Sequence, residues 1–352
     1  MAGRRAAIWV SRGALTAALL GGPGSAQSPS TGTPAACRLP EQGHHVLQGA
    51  LDGWASVSRD ALGIGATMPW LILVDEKCEW HLSPDAAFTS ATPSDTALSF
   101  DGRRLTLFAQ PRNGPLRLPN GRTLGSTATA STSVYGEGSR TFSVLSELEV
   151  WRRDPRHAKD RQLERFFQSL VIHELTHTTQ VVAINRRLSA LRGTVDLPSS
   201  VDDDIVQRRF QPVRGFQRAV DAERKAFYQA VLASSPQRRR ALAARGLSLA
   251  RERRARFYTG VNAVYRELED IFLTLEGTGQ WAVYRWARSH ADAKVSDAAV
   301  VEIIRADKKY WSEDEGLALF LLIDALVPQW QARVLGEHVA SPFALLEEAI
   351  GQ

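Results

Sequence analysis

Residues 171–180 read Val171-Ile-His173-Glu174-Leu-Thr-His177-Thr-Thr-Gln180, and the spacing of the two histidines governs the reading of the whole chain. On a helix, positions i and i+4 lie one turn apart on the same face, so both imidazoles can reach one ion. Glu174 sits about 100° round the axis from His173, close to such an ion yet free to handle a proton. The flanking residues Leu163, Phe166, Phe167, Leu170, Val171, Ile172, Leu175, Val181 and Val182 make the segment apolar on nearly all sides. A helix of that kind is buried. Two histidines and a glutamate inside it are costly unless something compensates them, and a metal ion does so directly.

A catalytic zinc takes three protein ligands and leaves one position open. No third histidine follows His177 at short range, and the next one is His290. A downstream carboxylate is therefore expected to complete the set. Three glutamates are candidates: Glu276 at the head of Glu-Gly-Thr-Gly-Gln-Trp281, Glu223 within Asp-Ala-Glu-Arg-Lys, and Glu315 at the head of Glu-Gly-Leu-Ala-Leu-Phe320.

In these features the chain resembles the gluzincin metallopeptidases, the thermolysin-like class that pairs HExxH with a distant glutamate. It looks closest to bacterial families in which a later segment carries a glycine, a leucine run with an aspartate, and Pro-x-Trp. Here that segment runs from Gly316 through Asp324 to Pro328 and Trp330. The resemblance covers roughly residues 140–335. It implies His173, His177 and Glu276 as ligands of Zn²⁺, Glu174 as general base, and a peptide or protein as substrate. The gap of about a hundred residues between His177 and Glu276 exceeds the thermolysin pattern, so a helical insertion must fit between them. Tyr258, Tyr265, Tyr284, Tyr310 and His290 are available to stabilise an oxyanion.

The fold expected is α+β and zincin-like. Strand patterns at Trp70–Asp75, Arg104–Gln110 and Phe142–Trp151 precede a run of helices that begins at Arg161. The expected helices are 45–61, 161–191, 206–233, a broken 237–277, 281–291, 298–308 and 315–335. Residues 111–133, punctuated by Pro, Gly, Asn and Thr, read as loops or a hairpin. Phe142–Trp151 immediately precedes the HExxH helix. It reads either as an edge strand that pairs with extended substrate or as an internal strand. An α/β N-terminal subdomain over 41–160 and a helical catalytic subdomain over 161–352 follow from this order.

Residues 1–26 have a basic start (Arg4, Arg5), an apolar stretch and the small residues Gly24-Ser25-Ala26, the layout of a secretory signal peptide. Residues 27–40 read as a disordered leader. A secreted or periplasmic location is expected, with no stable membrane insertion after cleavage, since Leu317–Val327 is too short to span and contains Asp324. Losing Arg4, Arg5 and Arg12 takes the formal charge from +5 to +2, which argues against a nucleic-acid partner. The arginines of Gln237–Arg240 and Arg251–Arg256 read as one solvated helix face. Cys37 and Cys78 are the only cysteines, and export would pair them in a disulfide. Asp324 reads as a partner of a ligand histidine or as a structural carboxylate, and Trp281, Trp286, Trp311 and Trp330 as core.

Overall fold

The computed structural model describes residues 10–11 and 37–351, except 66, 83–91, 95–97, 113, 125–128, 156, 158–159, 161, 198–200, 306–309 and 338. Most of the expected signal peptide and leader lies outside the described residues. Seven strands form the main sheet: β1 (Val10–Ser11), β2 (Trp70–Val74), β3 (Cys78–Leu82), β4 (Thr92–Ser94), β5 (Leu107–Pro111), β6 (Ala130–Tyr135) and β7 (Arg140–Ser146). Their order is β1-β6-β7-β2-β3-β5-β4, with β7 and β2 parallel and the other neighbours antiparallel.

β2 shows why its sequence is a continuous apolar run rather than an alternation. Leu71 and Leu73 face the main core, while Trp70, Ile72 and Val74 join Phe142, Val144, Leu116 and Leu118 on the opposite face. A strand covered on both sides has no polar face to show. The covering hairpin, Leu116–Arg117 with Thr123–Leu124, falls within the stretch read as loops or a hairpin. β3, β4 and β6 were not apparent in the sequence.

Helices follow, and no strand is described after Ser146. The chain is thus α+β, with a sheet built from its first half and helices from its second. The helices that matter for the site are α1 (Glu41–Ser56), α2 (Leu163–His177), α3 (Val181–Arg192), α4 (Ile205–Phe210), α5 (Phe216–Val231), α6 (Pro236–Phe257), α7 (Tyr265–His290) and α8 (Trp311–Leu326). The main core draws on both halves: Trp54 of α1, Leu73 of β2, Leu170 of α2 and Phe320 of α8 all belong to it.

Several boundaries differ from expectation, each for a local reason. The helix expected over 161–191 breaks at 178–180, where Thr178 and Thr179 hydroxyls turn back onto the Leu175 and Thr176 carbonyls. The one expected over 206–233 breaks at Gly215, whose φ of +87° only glycine adopts freely. Gly277 and Gly279 do not end a helix, so the segments expected to end at 277 and to start at 281 are one helix, α7. Their missing side chains serve packing instead. Phe142–Trp151 is not one strand, because the chain turns at Glu147 and helix Leu148–Arg153 carries Trp151.

The Cys37–Cys78 disulfide is present and ties the segment before α1 to β3. Closing 41 residues of sequence contributes roughly 4 kcal/mol in the chain-entropy picture.

Glu147 caps helix Leu148–Arg153 by accepting the Glu149 N–H at 2.7 Å, and it is only 2% exposed. Burial raises its carboxyl to about 6 from 4.5. Below pH 4.5 the group is protonated in the folded and unfolded chains alike. As pH rises through about 6 the folded chain must ionise a buried carboxyl, a cost the unfolded chain escapes. Glu147→Gln keeps the cap oxygen and removes that cost. We expect the variant to be about 1–2 kcal/mol more stable than wild type at pH 7.5 and equal to it near pH 4. Urea unfolding at the two pH values reads the difference, and an equal difference at both would contradict the assignment.

Candidate metal centre

Helix α2 lies against α1 and α7 and touches β6. Every residue from Leu170 to His177 is buried, as the all-round apolar pattern requires. His173 and His177 project towards α7, where Glu276 meets both. His173 Nε2 lies 3.1 Å from Glu276 Oε2, and His177 Nε2 lies 3.4 Å from Glu276 Oε1. The imidazoles stand edge to face with centroids 4.4 Å apart. One ligand atom from each of the three residues falls within 4.8 Å of the others, the sole such set among the described residues.

The donor set fits a metal ion. Two donors each 2.0–2.1 Å from a tetrahedral zinc lie about 3.3 Å apart, and the two histidine–carboxylate separations bracket that value. Burial alone would raise the Glu276 carboxyl. The charges of His177 and His173, with their hydrogen bonds, outweigh burial and hold the group below the usual carboxylate range. A buried His-His-Glu set of this chemistry can hold a metal ion.

Glycine sets the approach of α7. A Cβ at Gly279 would stand 2.7 Å from His173 Cε1 and Nδ1 and 3.0 Å from His177 Cε1. A Cβ at Gly277 would stand 2.7 Å from the Gly316 carbonyl of α8 and 2.5 Å from Phe320. The glycine after Glu276 is there for close packing, and the second glycine lets the helix meet the ligand imidazoles. Beyond His177, Gln180 Nε2 donates to Thr278 Oγ1 at 3.2 Å and to the Val334 carbonyl at 2.9 Å. This fixes the turn after α2 against α7.

Glu174 faces the sheet. Thr132 Oγ1 of β6 lies 2.9 Å from its Oε2 and 2.8 Å from its backbone carbonyl. Ser143 Oγ, across the β6–β7 pair, is 2.8 Å from Thr132 Oγ1. A hydroxyl carries one proton, and a carboxylate oxygen is a stronger acceptor for it than a hydroxyl. Ser143 Oγ can then donate to Thr132 Oγ1 or to the Glu174 carbonyl, 3.3 Å away. Neither hydroxyl was singled out in the sequence, though two polar residues in buried strands are the signal that would have found them.

The other sequence candidates are placed elsewhere. Glu223 is held by Arg253, with Nε at 2.9 Å and Nη2 at 2.6 Å. Glu315 belongs to the same buried group, beside Glu223. Neither joins His173 and His177. Tyr258 is committed to Glu269, 2.6 Å away. Asp324 accepts from Trp330 Nε1 at 3.2 Å and pairs with Arg285 at 3.7 Å, a structural role. β7 is internal, between β6 and β2, so it offers no edge to a substrate strand. The strand beside Glu174 is β6, whose outer side pairs with β1, two residues that fall within the expected signal peptide. Arg253 and Arg254 are buried in ion pairs rather than lying on a solvated face. Trp281 and Trp330 pack edge to face at 4.8 Å in the core, and Trp286 and Trp311 are buried too.

No protein-family model, curated protein or solved structure matches this chain. Function must therefore be argued from the site itself.

Gly279→Ala tests the close approach. The added methyl must displace an imidazole or push α7 away, so we expect a loss of about 1–3 kcal/mol in stability. Zinc affinity, measured by competition with a chelator, should fall in parallel. The same change at Gly43, which meets a glutamate oxygen rather than a ligand, should leave zinc affinity unchanged. Full zinc affinity in Gly279→Ala would show that α7 does not set the ligand geometry.

Proposed function

We propose that this chain is an exported zinc-dependent metallopeptidase of gluzincin type, built on a zincin-like fold. The observation that carries the reading is the meeting of His173, His177 and Glu276 at one buried point, with Glu174 on the same helix left outside the ligand set and held by Thr132. Zinc bound there supplies Lewis acidity and a water acidified towards neutral pH. Glu174 is the residue assigned to take and return a proton, and the Thr132 hydroxyl fixes the rotamer of its carboxylate. Gly279 and Gln180 hold the ligand helices in place. Export rests on the order of the leader residues and is supported by the Cys37–Cys78 disulfide. Among the described residues no helix is long and apolar enough to cross a membrane.

One observation favours a second reading, a metal site that stabilises the fold without catalysis. His173, Glu174, His177 and Glu276 are each no more than 1% exposed. Metal content and activity separate the two. Wild type and Glu223→Ala should bind one zinc by elemental analysis, and His177→Ala and Glu276→Ala should not. Glu174→Gln should keep its zinc and lose about 10²–10⁴-fold in peptide cleavage. Thr132→Val should keep zinc and lower kcat with little change in KM, and Thr132→Ser should restore it. Zinc binding with no cleavage of any peptide library, and unfolding on chelation, would leave the structural reading standing. No zinc in wild type would remove both.

A further inference from the structure

One helical hairpin carries more net positive charge than the whole chain. Residues 214–257, which span α5 and α6, hold twelve arginines and lysines against three acids, nine net positive charges in a chain whose total is +5. The remainder is therefore net negative. Part of the hairpin's charge is neutralised within the protein. Arg253 and Arg254 are buried against acids, Arg224 pairs with Asp221 and Asp314, and Arg251 pairs with Glu347. Arg218, Lys225, Arg238, Arg245 and Arg256 are exposed and enter no ion pair among the described residues.

These five cations share one face. Arg218 and Lys225 stand seven residues apart on α5, and Arg238, Arg245 and Arg256 follow one another at seven and eleven on α6. Both spacings return to nearly the same direction on a helix. Arg253 of α6 meets Glu223 of α5 and Gly246 packs on Phe227 of α5, whereas Arg251 reaches Glu347 on the other side. The edge of α6 that carries Arg238, Arg245 and Arg256 is thus the one beside α5. Arg256 agrees with this placement, since its Nη2 would stand 3.8 Å from a Cβ at Gly215, the residue before α5. Two acids lie on this surface: Asp221 is held by Arg224, and Glu252 accepts from Ser248. The tip of the hairpin adds two features. Arg238, Arg239 and Arg240 fall at the start of α6, whose first turn holds no acid. The helix dipole disfavours cations there, and an anion outside the protein relieves the strain between them. Next to them Leu232, seven residues after Lys225 and so on the same face of α5, is 51% exposed.

We infer that this face of α5 and α6 docks the protein on an anionic lipid bilayer, with the cations on the headgroup phosphates and Leu232 set into the interface. Basic side chains near a negative leaflet are attracted without any fixed partner geometry, which suits long cations that no ion pair holds. An exposed leucine beside them adds apolar burial at the headgroup boundary. A single-stranded polynucleotide is gripped by aromatic platforms, and the exposed residues of α5 and α6 include no aromatic. The docking is peripheral, since no described helix is long and apolar enough to cross a membrane. The inference does not depend on whether the histidine centre is catalytic.

Vesicle co-sedimentation tests it. The protein recovered after export is mixed with vesicles of phosphatidylcholine alone, or of phosphatidylcholine and phosphatidylglycerol in equal parts. If the leader is not removed the full chain serves, because every comparison is between chains with the same N-terminus. We expect binding to the vesicles that contain phosphatidylglycerol, little to the others, and loss of binding as salt is raised. Lys225→Glu/Arg245→Glu should weaken binding roughly tenfold or more. Arg103→Glu/Lys294→Glu changes the net charge equally at exposed positions elsewhere, and should stay within about twofold of wild type. Leu232→Ser should cost about two- to fivefold and leave the salt dependence unchanged. Circular dichroism checks that each variant is folded, and Lys225→Gln/Arg245→Gln replaces the double reversal if that unfolds. Wild type that binds neither vesicle at low salt, equal binding to both, or equal losses in the two double reversals would each overturn the inference. Retention on heparin or duplex DNA without binding to vesicles would assign the face to a soluble polyanion and overturn it too. The readout needs neither zinc nor peptide cleavage, so its failure is distinct from failure of the metal centre.

Discussion

The close approach of α7 to its two neighbours is the constraint on which the site depends. Gly277 admits the Gly316 backbone of α8, and Gly279, two residues on, admits the imidazoles of α2. Two residues along a helix turn the direction by about 200°, so these glycines open nearly opposite faces of the same rod. Glu276 lies between them in direction, and its carboxylate reaches both histidines at once. Side chains at either position would separate the helices by more than the ligand distances can absorb. Steric economy in α7 thus comes before any chemistry at the metal.

The same helix also carries an unusual load of buried charge. Glu269 stands almost two turns before Glu276 and receives Arg253 and Arg254 from α6. Those arginines also hold Glu223 of α5 and Asp270 of α7, so a buried ionic network ties α5, α6 and α7 together. Removing one partner of such a network leaves an uncompensated charge, which costs far more than the assembled network contributes. Packing around Arg253 tightens the arrangement, since its guanidinium lies 5.2 Å from the Phe216 ring and 5.4 Å from that of Tyr258. The consequence for the site is geometric. α7 is clamped near its N-terminal end by charge and near its middle by glycine, which leaves Glu276 little freedom to leave the histidines.

What the sequence made legible follows the range of each signal. HExxH is a local pattern on one helix, so His173, His177 and the burial of α2 could be read from a few residues. Glu276 needed a pattern from elsewhere, because a carboxylate a hundred residues away is placed by tertiary packing and not by spacing. The reading of Arg251–Arg256 as a solvated face failed for the same reason: an arginine looks alike in sequence whether it meets water or a buried glutamate. The short β4 and the mixed sequence of β3 gave no alternation to detect, and their pairing with β5 is a long-range event. Thr132 and Ser143 are neighbours only because β6 and β7 pair in register, again invisible before the sheet exists. The glycines of α7 misled in a different way. Helix propensity counts glycine as a breaker, and tertiary packing overrides that preference where a side chain cannot fit.

The division of labour among the buried acids bears on the choice between catalysis and structure. Glu223 and Glu269 are matched to arginines, and Glu276 to the two histidines. Each of those carboxylates closes a joint between helices. Glu174 is different in kind, because it points away from the helix joints to a strand hydroxyl, one residue from a metal-ligand candidate. A metal site that served only to hold helices together would need no proton acceptor beside it, and a leucine or alanine at position 174 would avoid the cost of burying a carboxylate. The fold instead spends a sheet hydroxyl, itself supported by Ser143, on orienting that carboxylate. Orientation of a carboxylate that closes no helix joint is of use to proton transfer and of little use to packing, and this is the physical ground for preferring the hydrolytic reading.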